Sequence, residues 1–250
     1  EEVWYLRRNS VQNKIQLKAY GKINLGLDVI RKREDGYHDL DMIMQTVNVY
    51  DDIIITKTES SNEIRVVTDK EVLSNGKDNL AYMAAKMLFD EFAITQGVEI
   101  RINKRIPIAG GMAGGSADCA VTLKGINQMF ALGLTQKELM ERGVKLGADV
   151  PYCVMRGTAL AEGIGEKLTR LPEVPKCYVL IGKPGINVST KTAYENLNLE
   201  GIGKHPDIDG LIGAIRNNDL YAMASRMENV FEPGIIRQYP VIGNIKNLME

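Results

Sequence analysis

The stretch Pro107-Ile-Ala-Gly-Gly-Met-Ala-Gly-Gly-Ser-Ala-Asp-Cys-Ala120 decides how the rest of the chain is read. Gly110, Gly111, Gly114 and Gly115 crowd into it, and a helix-forming run begins at Ser116. Ala120, Leu123, Ile126, Asn127 and Phe130 recur at helical spacing, so the glycines abut a helix N-terminus. Glycines let backbone N–H groups approach a ligand, and a helix start adds roughly half a positive charge. Together they suit a phosphate chain, although a glycine-rich link between a strand and a buried helix would look much the same. The spacing fits neither the Rossmann dinucleotide fingerprint nor the Walker loop.

Outward from this stretch, residues 14–20 and 23–30 alternate as two short strands. Residues 32–38 form a polar loop with a glycine turn. Residues 42–50 and 53–58 are rich in β-branched side chains and predict a hairpin turning at Asp51 and Asp52, with a further strand over 64–68. A helix is expected over 79–92, a strand over 98–103, and a second helix with a Thr135/Glu138 capping box that Gly147 ends. Pro151 disfavours a helical conformation at Val150. Glycines between Arg156 and Gly165 mark a boundary between two halves. Beyond it, a strand is expected over 177–182 and helices over 190–197, 209–217, 220–228 and 239–250. Strands first and helices later, without βαβ alternation, predict an α+β chain of two lobes with a ligand groove between them.

Composition narrows the function. Apolar residues make up 44% and charged residues 25%, ordinary for a globular chain able to bury a large core. A formal charge of −1 argues against a nucleic-acid partner or an anionic membrane surface, and no apolar run is long enough to span a bilayer. The N-terminus begins with acidic residues and does not read as a signal peptide. Cys119, Cys153 and Cys177 are widely spaced and read as reduced thiols of a cytoplasmic protein; with only two histidines, no protein-held metal is expected.

Three further segments make a resemblance specific. Residues 107–120 resemble the phosphate-binding motif of the GHMP kinases, and Lys18-Ala-Tyr-Gly-Lys-Ile-Asn-Leu25 resembles that family's N-terminal motif. Gly36-Tyr-His38 and Gly147-Ala-Asp-Val-Pro151 resemble one branch of it, whose acceptor carries a cytidine diphosphate group. The resemblance covers most of the chain. It implies an N-terminal lobe of mixed sheet and helices over 1–160 and a smaller α+β lobe over 161–250. It also implies an ATP-dependent kinase acting on the 2-hydroxyl of a cytidine-diphosphate-linked methylerythritol, working as a monomer or weak homodimer.

Phosphoryl transfer to an alcohol needs a cradle for the phosphates, positive charge, and a group that takes the hydroxyl proton. The resemblance gives the proton-accepting role to Asp149 and pairs it with Lys22. Read alone, Asp149 equally caps the turn before Pro151, and Lys22 equally is a solvated strand residue. The resemblance further places Asn79, Lys104, Pro107, Gly110, Gly111, Gly114, Gly115 and Ser116 at ATP, with Asn79 equally a helix N-cap. Mg²⁺ is expected to arrive with ATP, held mainly by phosphates and water. Tyr37 and His38 are implied to read the cytosine, with Tyr194 as a second aromatic plate opposite Tyr37 and with Asn24, Asp149 and Thr190 at the acceptor.

Departures from the family pattern are definite. Ser116-Ala117-Asp118-Cys119 lacks one hydroxyl found after the glycines in relatives, and Tyr20-Gly21 replaces the common Pro-Ala. The third, C-terminal motif of Gly-Ser-Gly-Pro type is not among the 250 residues, so the second lobe reads as truncated. Competing readings are another GHMP kinase, of homoserine or mevalonate type, and a non-catalytic nucleotide- or RNA-binding protein of related fold.

Overall fold

The computed structural model describes residues 13–70 and 72–249, with the side chains of Thr190 and Lys191 outside the described set. Two very long strands make the frame. β1 (Lys14–Lys32) and β2 (His38–Ser61) run antiparallel along almost their whole length. The predicted pairs of short strands are thus each one strand. β1 continues through a register shift between Tyr20 and Lys22, and others fall at Asn24/Gly26 and Val29/Arg31. Such shifts kink a strand without ending it. The expected hairpin at Asp51 and Asp52 is absent for a different reason. Both aspartates are buried mid-strand, and Asp51 finds hydrogen-bond donors that let the strand run on.

The other edge of β2 is shared. Residues 52–61 pair with β4 (Gln96–Asn103), and residues 40–45 pair with β5 (Thr158–Gly163). β3 (Ile64–Thr68) joins β4 in parallel, and β6 (Lys167–Arg170) joins β5, so the glycine-rich region after Arg156 carries the sheet on to Arg170. α1 (Leu80–Glu91), α2 (Gly114–Met129), α3 (Gln136–Gly143) and α4 (Val150–Met155) pack on one face. Met42 and Met44 of β2 join that core, whereas Ile43 points the other way. This period-two alternation gives the sheet a second apolar face. There α6 (Ile208–Arg216) buries Ile208, Leu211 and Ile215 with Leu25 and Ile43, beside α7 (Leu220–Ala224). A Cβ on Gly26 would lie 2.8 Å from Ile208 Cδ1, so the glycine sets how closely α6 approaches β1.

Other expectations meet the structure unevenly. Asn79 caps α1, and the Thr135/Glu138 capping box is formed, though α3 ends at Gly143. Val150 is helical, contrary to the expectation, with Pro151 in the first turn of α4, where a missing N–H costs nothing. Residues 177–182 have no strand partner among the described residues. The C-terminal part adds α5 (Thr190–Glu195), α8 (Glu232–Gln238) and α9 (Pro240–Met249). Leu27 N–H donates to the Glu228 carbonyl and Val230 N–H to the Leu27 carbonyl, at 3.0 and 3.1 Å, tying this part to β1. No described helix is long and apolar enough to cross a membrane.

Gly97 tests the frame, because a Cβ there would sit 2.3 Å from the Ser60 carbonyl oxygen. Gly97→Ala must displace backbone rather than a flexible side chain. It is expected to destabilise by about 1–3 kcal/mol, read as a lowered midpoint in thermal unfolding. An unchanged midpoint would contradict this packing.

Candidate functional site

The N-terminus of α2 opens onto a groove of about 1380 Å³. The helix begins at Gly114, two residues before the expected Ser116. The first intrahelical bond at its start runs from Ala117 N–H to the Ala113 carbonyl at 2.8 Å. The N–H groups ahead of it are the ones a helix leaves without intrahelical partners. With glycine at 114 and 115, no side chain stands between these donors and the groove. Ala113 turns the chain into the helix at φ 55°, and Ala109 holds φ 53°, both in the left-handed region that alanine disfavours. The loop is anchored to β1 by the Lys22 N–H, which donates to the Met112 carbonyl at 3.1 Å where β1 shifts register.

The same register shift aims side chains. Lys22 and Asn24 stand two apart on β1 and both line the groove; the Lys22 ammonium donates to Asn24 Oδ1 at 3.1 Å. Asp149 lines it as well. It immediately precedes α4, but its carboxylate caps nothing and makes no hydrogen bond or ion pair among the described residues. Lys22 and Asp149 form no ion pair with each other there. Burial pushes the Cys153 thiol up, with Asp149 adding to the rise and Lys22 opposing it. Ser116 Oγ approaches from the loop, 3.9 Å from where a Cβ on Gly147 would sit. The glycine loop, Lys22 and a carboxylate with no partner among the described residues therefore line one groove.

The other predicted ATP residues divide. Pro107, Gly110, Gly111, Gly114 and Gly115 line the groove. Asn79 lines it while spending its side chain locally: Oδ1 accepts from Ala81 N–H at 2.9 Å, and Nδ2 donates to the Ser74 carbonyl at 2.8 Å. Lys104 is buried, and its ammonium bonds to Asp51 and to Asp118, the latter at 2.7 Å. Burial pushes the Asp118 carboxyl up to about 7, against the pull of Lys104 and with Asp51 adding to the rise. Sequence reading missed Asp51 and Asp118. Their signals were an aspartate inside a β-branched run and another one turn into the loop helix. It also missed Lys183, whose ammonium donates to the Pro184 and Ile186 carbonyls and whose Cδ comes within 3.5 Å of a Cβ built on Gly110.

Across the groove the aromatic groups meet in a different order from that expected. His38, not Tyr37, lies on Tyr194, with ring centroids 5.0 Å apart and planes at 26°, and Phe231 packs edge-on at 4.7 Å. Burial pushes the Tyr194 phenol up to about 12, and the negative charge of Asp149 adds to the rise. Tyr37 is exposed at the rim, on a turn held by Arg33 with Asp35 at 2.8 Å and Asp39 at 3.3 Å, while Arg31 also pairs with Asp39 at 2.6 Å. The side chain of Thr190 lies outside the described residues.

Residues 79–157 match the family model described as GHMP kinases N terminal domain, so the class is that of the GHMP small-molecule kinases. The 4-diphosphocytidyl-2-C-methyl-D-erythritol kinase of Lachnospira eligens is 54% identical over 94% of this chain and 81% of its own length. That of Lachnoclostridium phytofermentans is 53% identical over 93% and 79%. A crystal structure of 4-(cytidine 5'-diphospho)-2C-methyl-D-erythritol kinase superposes with a TM-score of 0.74 at 26% identity, over 93% of this chain and 81% of that one. The homoserine kinase of Cytophaga hutchinsonii, 18% identical with a TM-score of 0.65, shares the fold. The chain belongs to the 4-diphosphocytidyl-2-C-methyl-D-erythritol kinase family.

Desolvation, and secondarily Lys32, holds the His38 imidazole below its ordinary 6.5. As pH falls through 6.5 the unfolded chain takes this proton first, so the group costs stability only on the acid side. An NMR titration, assigned with a His38→Gln variant, should place the His38 midpoint below 6.5. A midpoint at or above 6.5 would mean that the ring is not packed on Tyr194.

Proposed function

We propose that this chain transfers the γ-phosphoryl group of ATP to the 2-hydroxyl of 4-diphosphocytidyl-2-C-methyl-D-erythritol. The observation that carries the reading is the carboxylate of Asp149, free of any cap, in a groove that also holds the open N-terminus of α2 and the His38–Tyr194 pair. Family membership supplies ATP as donor. The chain's own groups then account for the rest.

The β- and γ-phosphates lie along the N–H groups of residues 110–116, where the helix dipole favours negative charge. Asp149 accepts the proton of the 2-hydroxyl as its oxygen forms the new bond to phosphorus. The bond from phosphorus to the β–γ bridging oxygen breaks, and ADP leaves with that electron pair. Lys22 offsets charge on the group in transit. Asn24 holds the acceptor's polyol, with Thr190 assigned beside it on the resemblance alone. Mg²⁺ belongs to this reading as an ion carried in by the triphosphate. Ser116, which lines the groove, is the serine that the family resemblance assigns beside the phosphates and this ion. The cytosine is read by His38, Tyr37 and Tyr194, as stacked rings with one neutral imidazole able both to donate and to accept. The groove so described lies between the lobes assigned to 1–160 and 161–250.

Asp149→Asn is expected to lower kcat by about two to four orders of magnitude while leaving both KM values within a few-fold. Tyr194→Ala should instead raise KM for the cytidylated acceptor and spare KM for ATP. Both are read by acceptor-dependent ADP release, with homoserine and mevalonate as control alcohols. Undiminished kcat in Asp149→Asn, or equal turnover of a control alcohol, would overturn the assignment.

A further inference from the structure

The buried ion triad under the phosphate loop has more structure than a nucleotide contact needs. Lys104 leaves the end of β4 and turns its ammonium inward, between Asp51 of β2 and Asp118 in the second turn of α2. All three side chains are nearly sealed from solvent, with side-chain exposures of 4%, 0% and 6% for Lys104, Asp51 and Asp118. Asp51 does a second job with its other oxygen, which accepts the Arg105 and Ile106 N–H groups at 2.5 and 2.8 Å. Asp69, which follows β3, accepts the Lys104 N–H at 2.8 Å. The chain entering the loop is thus fixed at three consecutive N–H groups, and the chain leaving it is fixed through Asp118 to the same ammonium. The ammonium also lies 3.2 Å from where a Cβ on Gly114 would stand, directly behind the first helical residue. Between the two fixed ends, Ala109 and Ala113 hold left-handed φ values that a loose loop would abandon.

We infer that Asp51 and Asp118 are positioning residues for ATP: they lock Lys104 behind Gly114 and so hold the loop's N–H groups in the direction the phosphates require. This rests on the kinase reading above but assigns roles to residues outside its catalytic set. Asp118 Oδ1 is buried without a hydrogen-bond partner, and the other oxygen, Oδ2, accepts from the Lys104 ammonium at 2.7 Å. Lys104 uses two of its three N–H donors on the aspartates and lines the groove, which leaves one donor for the nucleotide side.

The test is Asp51→Asn and Asp118→Asn, each close in shape to the original and each removing the charge that holds the ammonium. The wild-type chain is assayed first with ATP and the cytidylated acceptor; no turnover there counts against the kinase reading and not against the triad. ADP titrated onto each folded variant reads the loop without any acceptor. Expected is a weakening of ADP binding and a rise in KM for ATP of about tenfold or more, with kcat and the acceptor KM within about threefold. Folded variants with unchanged ADP affinity overturn the inference. So does a parallel fall in kcat and in affinity for both substrates, or loss of folding in both variants, since each would make the triad only part of the core.

Discussion

A charge withdrawn from water organises this molecule. Burying an ammonium is costly unless carboxylates and good geometry compensate, and removing one partner from such a group typically costs about 3–5 kcal/mol. Lys104 meets that demand by drawing β2, β4 and α2 to a single point. The glycine-rich turn has little of its own to hold it, since glycine contributes flexibility and no side chain. What keeps it in one conformation is supplied from below by Asp51, Lys104 and Asp118, and from the side by the Lys22 N–H on the Met112 carbonyl.

The long strands carry the argument outward. Because β1 and β2 never break, one register shift near Lys22 both admits the glycine-rich loop and aims Lys22 and Asn24 at the groove. At the other end of β2, His38 opens the strand and lies on Tyr194 from α5. Lys22, paired with Thr46 midway along the two strands, and His38, paired with Lys32 at their end, are therefore set by the same ladder, and Asp149 lines the same groove from the start of α4. A sheet of this length is a rigid ruler, and that rigidity positions reacting groups more accurately than separate short hairpins would.

Much of this was legible in the residues, and the failures have physical causes. Helices α1 and α3 announce themselves through Asn79 and through Thr135 with Glu138, because caps are local chemistry. The glycine loop, Lys22 and Asp149 were legible through motif resemblance, and the groove does collect them. Asp51 and Asp52 misled, since adjacent aspartates usually turn a chain; only their tertiary donors make them strand residues. Pro151 misled in the opposite direction, because its effect depends on whether the residue before it is inside a helix or starts one. The order of the rings could not be read at all. Nothing local to Tyr37 and His38 says which of two neighbours will pack on a side chain far along the chain.

The two ends of the groove are built on different kinds of charge. Beneath the glycine loop the ions are sealed from water, where mobile salt cannot reach them. At the rim, the turn that carries Tyr37 is held by Arg31 and Arg33 with Asp35 and Asp39, in contact with solvent. Counterions screen exposed pairs over a Debye length of about 8 Å at physiological ionic strength. The rim turn thus loosens or firms with the salt around it, while the floor under the glycine loop stays as it is.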